Sequence, residues 1–96
     1  MGIRLVVAMR ALPEKREQMM AQSAARAKEV REEQGCVQFS FFQDIEDPDS
    51  FMLLEKWASQ EALEAHWERL RARPAEQREP LREMLGMERY EYDEEE

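Results

Sequence analysis

Apolar and polar side chains alternate with a period of two residues in several short stretches of this chain. This period, together with many Val, Ile and Phe residues, is typical of β-strands. Residues 44–50 separate two of the stretches with Asp47-Pro48-Asp49, a sequence that favours a turn, so these two are predicted to form a hairpin. The predicted strands cover residues 3–10, 36–43, 51–57 and 87–93.

Two other stretches repeat apolar residues at the spacing of a helix. The first is predicted over residues 14–34 and ends at Gly35, with a narrow, Ala-rich stripe. Its stripe is Met20, Ala24, Ala27 and Val30 or Arg31, flanked by Met19 and Ser23. The second begins at Ser59, a good N-cap residue. Its apolar stripe is Leu63, His66, Trp67 and Leu70.

Pro74 and Pro80 interrupt the pattern after the second helix and predict short helical pieces between the second helix and the last strand. Leu81, Met84 and Leu85 are then predicted as apolar positions of the last helical piece, with Gly86 at its end. Residues 94–96 are all Glu and are predicted to be a solvated, disordered tail. The remaining 1–93 are too few for more than one domain.

The predicted order is β-α-β-β-α-β, which indicates an α+β, ferredoxin-like fold with an antiparallel sheet and both helices on one face. The first three strands carry apolar side chains on both faces. In a monomer, the face without helices would leave a large apolar surface in water. We therefore expect a homodimer in which two sheets pack face to face and close into a dimeric α+β barrel.

Composition narrows the possible partners. With 22 acidic and 14 basic residues the net charge is −8, which argues against a nucleic-acid or anionic-membrane partner. The single cysteine, Cys36, makes neither an intramolecular disulfide nor a cysteine-based zinc site. The N-terminal apolar run contains Arg4 and is too short for a signal peptide or a membrane helix, so a cytoplasmic location is expected.

Several short motifs, in order and at the right spacing across residues 3–93, resemble the antibiotic biosynthesis monooxygenase family. Each motif is weak alone, and the combined string is specific for the family more than for one activity. The motifs are Gly35-Cys36, Asp44-Ile45-Glu46-Asp47-Pro48, Phe51-x-Leu53-Leu54-Glu55-x-Trp57 and Glu61-Ala62-Leu63-x-Ala65-His66.

The resemblance implies a dimeric α+β barrel whose ligand lies between the sheet and the helices of each subunit. For the members that are enzymes, it also implies oxidation of quinols or phenols by O2 without a metal, flavin or other cofactor. Such chemistry needs a dry apolar pocket, a hydrogen-bonding group or base, and an aromatic wall. Trp57 and His66 match the family pattern.

One family residue is missing. Members from antibiotic pathways carry an Asn four residues before the Trp, where this chain has Leu53, and the chain contains no Asn at all. Haem-degrading relatives also use an Asn, on the first strand, which argues against haem degradation here. This departure keeps a second interpretation open, in which the chain is a non-catalytic dimeric domain that binds small molecules or acts under stress.

Four side chains are candidates for the site, and each has a structural alternative. His66 is either an acid–base group or polar anchor for a phenolic ligand, or a partly buried residue bonded to a carboxylate or carbonyl. Trp57 is predicted to line the pocket or the core. Glu55 and Leu53 share its strand face and are predicted to line the pocket, although for Glu55 an ion pair with an Arg such as Arg4 or Arg10 is the favoured alternative.

Overall fold

A computed structural model of the chain describes residues 1–73 and 80–93, and it contains the predicted order of strands and helices. The four strands form one antiparallel sheet in the order β2-β3-β1-β4. Among the described residues, no helix combines the length and apolar character needed to span a membrane. The elements are β1 (Gly2–Ala11), α1 (Arg16–Arg31), β2 (Cys36–Gln43), β3 (Ser50–Trp57), α2 (Gln60–Ala72) and β4 (Arg82–Tyr92).

The core lies between the helices and one face of the sheet, which we call the inner face. Every second residue of β1 and β3 points into it, as the alternating pattern predicts. From the helices, the buried apolar residues Met19, Ala27, Val30 and Leu63 pack against this face. The sheet contributes the inner-face residues Ile3, Leu5, Val7, Met9, Phe39, Phe51, Leu53 and Trp57.

The opposite, outer face of the sheet is also apolar at its centre. Val6, Ala8 and Leu54 are half-buried there although no helix covers them. Phe42 and Met52, which are paired across β2 and β3, are 49% and 41% exposed. The prediction that the central strands are apolar on both faces is therefore confirmed, and the surface that it leaves uncovered is contiguous.

The buried stripe of α1 differs from the predicted one. Met19, Ser23, Ala27 and Val30 are buried, whereas Met20 and Ala24 are exposed. The prediction favoured Met20 and Ala24 because they are apolar, but the packed row follows a four-residue spacing that includes the polar Ser23. The helix is also shorter than predicted, because Glu14 has a positive φ of 66° and Glu32 caps the other end.

An irregularity in β2 changes the direction of Val37. The register between β2 and β3 shifts between Cys36 and Gln38, so that Cys36 pairs with Trp57 and Gln38 with Lys56. The extra residue is Val37, which is 54% exposed instead of sharing the face of Phe39 and Phe41. A strict period of two, as predicted, does not hold across such a bulge.

The predicted helical piece before the last strand is wrong where the structure describes it. Residues 82–86 belong to β4, which pairs with the whole of β1. The register shifts near Met84 and Gly86, leaving Leu85 as an additional residue. This bulge interrupts the alternation of the strand. Met84 and Leu85 follow Leu81 by three and four residues, which is also the spacing of one face of a helix. The predicted pieces between Pro74 and Pro80, and the Glu tail, fall on residues 74–79 and 94–96, outside the described residues.

Two local features place α2 over the inner face. The Ser59 hydroxyl accepts a hydrogen bond from the backbone N–H of Ala62 at 3.1 Å, which satisfies one free donor at the helix start. Gly35 has a φ of +87°, and a Cβ there would collide with the Cβ of Ala62. A glycine at this turn therefore permits both the left-handed backbone and the close approach of α2.

Candidate functional site

A cavity of about 620 Å³ lies between the inner face of the sheet and the two helices. Its walls are mostly apolar and come from all four strands, chiefly Leu5, Val7, Phe39, Phe41 and Leu53, with Trp67 and Leu70 from α2. This size and character are those of small-molecule sites, which occupy roughly 300–1,000 Å³. The ionisable side chains among the lining residues are Arg26, Glu55, His66 and Arg82.

His66 is a buried polar side chain held by a carboxylate. It is 2% exposed, and its Nδ1 lies 2.9 Å from Oε1 of Glu33. Arg69 donates to the same oxygen at 2.8 Å, so Glu33 stays a good acceptor for the imidazole N–H. A carboxylate can only accept a hydrogen bond, so Nδ1 donates in this contact, and in the neutral imidazole Nε2 is then the nitrogen without a proton.

Aromatic rings fix the orientation of the His66 imidazole. The Trp57 ring lies 4.8 Å from it, centre to centre, with an angle of 31° between the planes. The ring centre of Phe39 lies 5.9 Å from that of His66, and the two rings meet edge to face. Trp57 is fully buried and lies behind the cavity wall rather than among the lining residues. It therefore contacts the polar groups of the site without facing the open volume.

Glu55 is a buried carboxyl group on β3, bonded to the same tryptophan. The Nε1–H of Trp57 donates to Oε1 of Glu55 at 2.9 Å. Burial raises the pKa of Glu55, while the hydrogen bond from Trp57 and the nearby His66 oppose that change. A carboxyl group in this setting can hold a proton and donate it to a ligand oxygen.

The expected ion pair between Glu55 and Arg4 or Arg10 is wrong. Arg10 instead bonds to Asp47 at 2.7 Å, near the turn that joins β2 and β3. Arg4 pairs with Lys56 in the strand register and therefore points to the outer face, away from Glu55. Adjacent strand residues lie on opposite faces, and this alternation excludes both pairings.

Two arginines line another part of the cavity, near β4. Arg82 donates to Oε1 of Gln22 on α1 at 2.6 Å, and it approaches the sulfur of Met9 at 3.8 Å. Arg26 pairs with Glu29 at 3.1 Å and keeps 22% of its side chain exposed. The cavity thus combines one acid–base cluster with a separate basic region, separated by apolar strand residues.

The structure brings three of the four predicted site residues, Leu53, Glu55 and His66, to the cavity surface, and it places Trp57 directly behind two of them. Glu33, which orients His66, was not predicted. In the sequence it is one of several charged residues at the end of α1, and its contact with His66 spans 33 positions. No local pattern distinguishes it from its neighbour Glu32.

The model of the family described as antibiotic biosynthesis monooxygenase matches residues 2–73. The chain belongs to this family. The matched region includes the first three strands, both helices and every polar residue of the acid–base cluster. The whole of β4, and with it Arg82 of the basic region, lies outside the match.

Two curated relatives share part of the sequence. A Bacillus subtilis protein named "Putative monooxygenase YcnE" is 32% identical over 54 residues, which cover 56% of this chain and 57% of that protein. The uncharacterized protein sll1783 of Synechocystis is 34% identical over 56 residues, covering 58% of this chain and 38% of that protein. The chain therefore matches between about a third and three fifths of the length of these relatives.

Solved structures share the fold over nearly the whole chain. A Bacteroides thetaiotaomicron protein of unknown function, named a possible oxidoreductase, has a TM-score of 0.75 at 25% identity and covers 95% of this chain and 97% of its own. A Deinococcus radiodurans protein named a "putative antibiotic biosynthesis monooxygenase" has a TM-score of 0.72 at 19% identity, covering 98% and 94%. At that identity the second likeness shows the fold alone.

Proposed function

We propose that this chain is a cofactor-free monooxygenase that oxidises a quinol or electron-rich phenol with O2 in the cavity between the sheet and the helices. The observation that carries the proposal is the placement of His66. It is a buried imidazole on the wall of an apolar cavity, with Nδ1 bonded to Glu33 and Nε2 left for a ligand. Membership of a family with monooxygenase members supports the same chemistry.

The proposed reaction begins with transfer of the phenolic proton to Nε2 of His66. The phenolate gives one electron to O2, and the phenoxyl radical and superoxide combine to form a carbon–oxygen bond at an unsubstituted ring carbon. Protonation gives a hydroperoxide, which then loses the ring hydrogen and hydroxide as water and leaves a carbonyl. The balance is one phenol and one O2 converted into one quinone and one water. All electrons come from the substrate.

The side chains have separate roles in this proposal. Glu33 holds the imidazole in the tautomer whose Nε2 accepts the proton, and it stabilises the imidazolium that follows. Glu55, buried beside Trp57, can donate a proton to a ligand oxygen. The apolar walls reduce the contact of a bound ligand with water, which strengthens these interactions and protects the radical pair.

We further propose that a second copy of the chain covers the outer face of the sheet. Val6, Ala8 and Leu54 form its centre, and Phe42 and Met52 extend it. A chain of this size gains substantially from burying such a surface, because its own core is modest. The expected product is the face-to-face dimer of sheets, with one cavity on the helix side of each subunit.

Oxygen uptake with a panel of hydroquinones and anthrols tests the proposal. We expect the wild-type protein to consume O2 in proportion to the substrate, and we expect His66→Ala to lower kcat/KM roughly 100-fold or more, the usual loss on removing a general base. Glu33→Gln should lower kcat as well, because Nδ1 then loses its carboxylate.

Glu32→Gln is the matched control, since Glu32 is the exposed neighbour of Glu33, and it should leave kcat unchanged. An uptake rate no higher than the uncatalysed one with every substrate, or an unaffected His66→Ala variant, would reject the proposal. Stabilisation by the same aromatic molecules in a thermal-shift measurement, without oxygen uptake, would identify a binding domain instead of an enzyme.

A further inference from the structure

A second cavity lies on the other flank of α1, between this helix and the edge strand β2. Its volume is about 310 Å³. Phe41 is the only lining residue that the two described cavities share, so its ring separates them. Met19 and Phe51 form apolar parts of the wall. Apart from the shared ring of Phe41, its residues have no part in the proposed oxidation.

Ser23 is the unusual residue of this cavity. It is 3% exposed, it lies on the packed row of α1, and its hydroxyl has no hydrogen-bond partner within the described chain. A buried hydroxyl without a partner destabilises the folded state, and nearly all such groups in proteins are satisfied. Ser23 is also among the lining residues of the cavity, and its oxygen is closed to solvent in this conformation, so a bound molecule supplies the missing partner once the neighbouring side chains move aside.

The charges around this cavity have one sign. Within residues 1–73 and 80–93, its lining includes Lys28 and Arg31 and no Asp or Glu. This local excess of positive charge stands out in a chain of net charge −8. Arg31 donates from its Nε to the carbonyl oxygen of Phe39 at 3.1 Å, which ties its side chain to β2. The electrostatic complement of such a site is an anion.

We propose that this cavity binds a small monocarboxylic acid with an apolar body about the size of one aromatic ring. The apolar body lies against Met19 and Phe51, the Ser23 hydroxyl donates to a carboxylate oxygen, and Lys28 and Arg31 balance the charge. The volume is at the lower limit of small-molecule sites, roughly 300 Å³, which suits a ligand of this size. This site is separate from the oxidation site and does not depend on the activity proposed for it.

Phenylacetate, with its neutral isostere phenylacetamide, is a suitable probe for protein labelled with nitrogen-15. We expect millimolar phenylacetate to shift the amide signals of Ser23, Lys28 and Gln43 in a saturable way. Phenylacetamide should bind at least fivefold more weakly. The indole signal of Trp67, which reports on the larger cavity, distinguishes binding at the two sites.

Two variants and two matched controls test the roles of the side chains. Ser23→Ala should weaken phenylacetate binding roughly tenfold, as expected for a lost hydrogen bond to a charged group. Lys28→Gln should weaken it about two- to fivefold, and high salt should abolish that difference. The controls Ser40→Ala and Lys15→Gln, whose side chains do not line either cavity, should bind as the wild type does.

Three results would overturn this assignment. The first is the absence of saturable shifts at Ser23, which would leave water as the only partner of the hydroxyl. The second is equal affinity for phenylacetate and phenylacetamide, which would remove the role of charge. The third is unchanged binding in Ser23→Ala while its thermal unfolding shows a folded protein.

Discussion

The two faces of the sheet are built from the same strands but end in different surroundings. On the inner face, Leu5, Val7 and Trp57 are covered by helices and leave a cavity with a few polar groups. On the outer face, Leu54 and its neighbours form an apolar surface that neither of the two helices covers. Alternation along a strand therefore divides the molecule into one face suited to chemistry and one suited to association.

The difference also shows where polar groups are tolerated. Inside, Glu55 and His66 are buried with specific partners, Trp57 and Glu33. Outside, the polar side chains lie at the rim, such as Lys56, whose ammonium lies 4.5 Å from the ring centre of Tyr92. A buried polar group needs a partner of its own, and the core supplies one to Glu55 and to His66 but not to Ser23.

A charge placed on the outer face should have the largest effect on this division. Leu54→Glu places a carboxylate at the centre of the proposed contact between subunits, and an unpaired buried charge costs about 3–5 kcal/mol. We expect light scattering to show a dimer for the wild type and a monomer of 11.5 kDa for the variant. A monomeric wild type at micromolar concentration, or a variant that stays dimeric, would contradict the proposed contact.

Truncation of one leucine on each face compares the two surfaces directly. Leu5→Ala should lower the free energy of unfolding by about 2–5 kcal/mol, because Leu5 is 1% exposed and leaves a void. Leu54→Ala should weaken dimerisation. It should lower the free energy of unfolding of the dissociated chain by less than Leu5→Ala does. Urea unfolding at low protein concentration measures both, and equal losses would show that the two faces do not differ as described.

The smallest expected effect concerns Glu55 and pH. Burial raises the pKa of its folded-state carboxyl above the ordinary 4.5, so between these two values the folded chain holds a proton that the unfolded chain releases. Stability attributable to Glu55 therefore falls as pH rises through this window and stays lower at neutral pH. Glu55→Gln keeps an oxygen for Trp57 and does not ionise.

The measurement is the difference in unfolding free energy between this variant and the wild type, determined near pH 4.5 and near pH 7. We expect the variant to gain stability relative to the wild type as pH rises. Glu32→Gln, on the exposed end of α1, should show no such gain. A difference for Glu55→Gln that is independent of pH would mean that Glu55 ionises as easily in the folded chain as in the unfolded one.

The strands and α2 could be predicted because their patterns are local. Ser59 and the alternation from Phe51 to Trp57 are enough to place β3, α2 and the side chains that they present to the cavity. Bulges cannot be read from a regular period, which explains the errors at Val37 and Leu85. Ser23 misled the prediction for α1, because a polar residue occupies a position in the packed row.

The polar contacts of the site depend on non-local geometry. Glu33 and His66 meet only because the end of α1 lies beside the middle of α2. The sequence of neither segment predicts this contact. The predicted partner of Glu55 was also wrong. Trp57, two residues along the same strand, donates a hydrogen bond to the carboxyl group in place of an arginine. Residue type and face were predictable, whereas partners were not.

The central claim is that the inner-face cavity carries out oxygenation with His66 as the base. Incubation of the substrate that gives the highest oxygen uptake with isotopically labelled O2, followed by mass spectrometry of the product, tests it most directly. We predict one labelled oxygen atom per product molecule with the wild-type protein, and loss of this product with His66→Ala. An unlabelled product, or equal labelling with both proteins, would contradict the account.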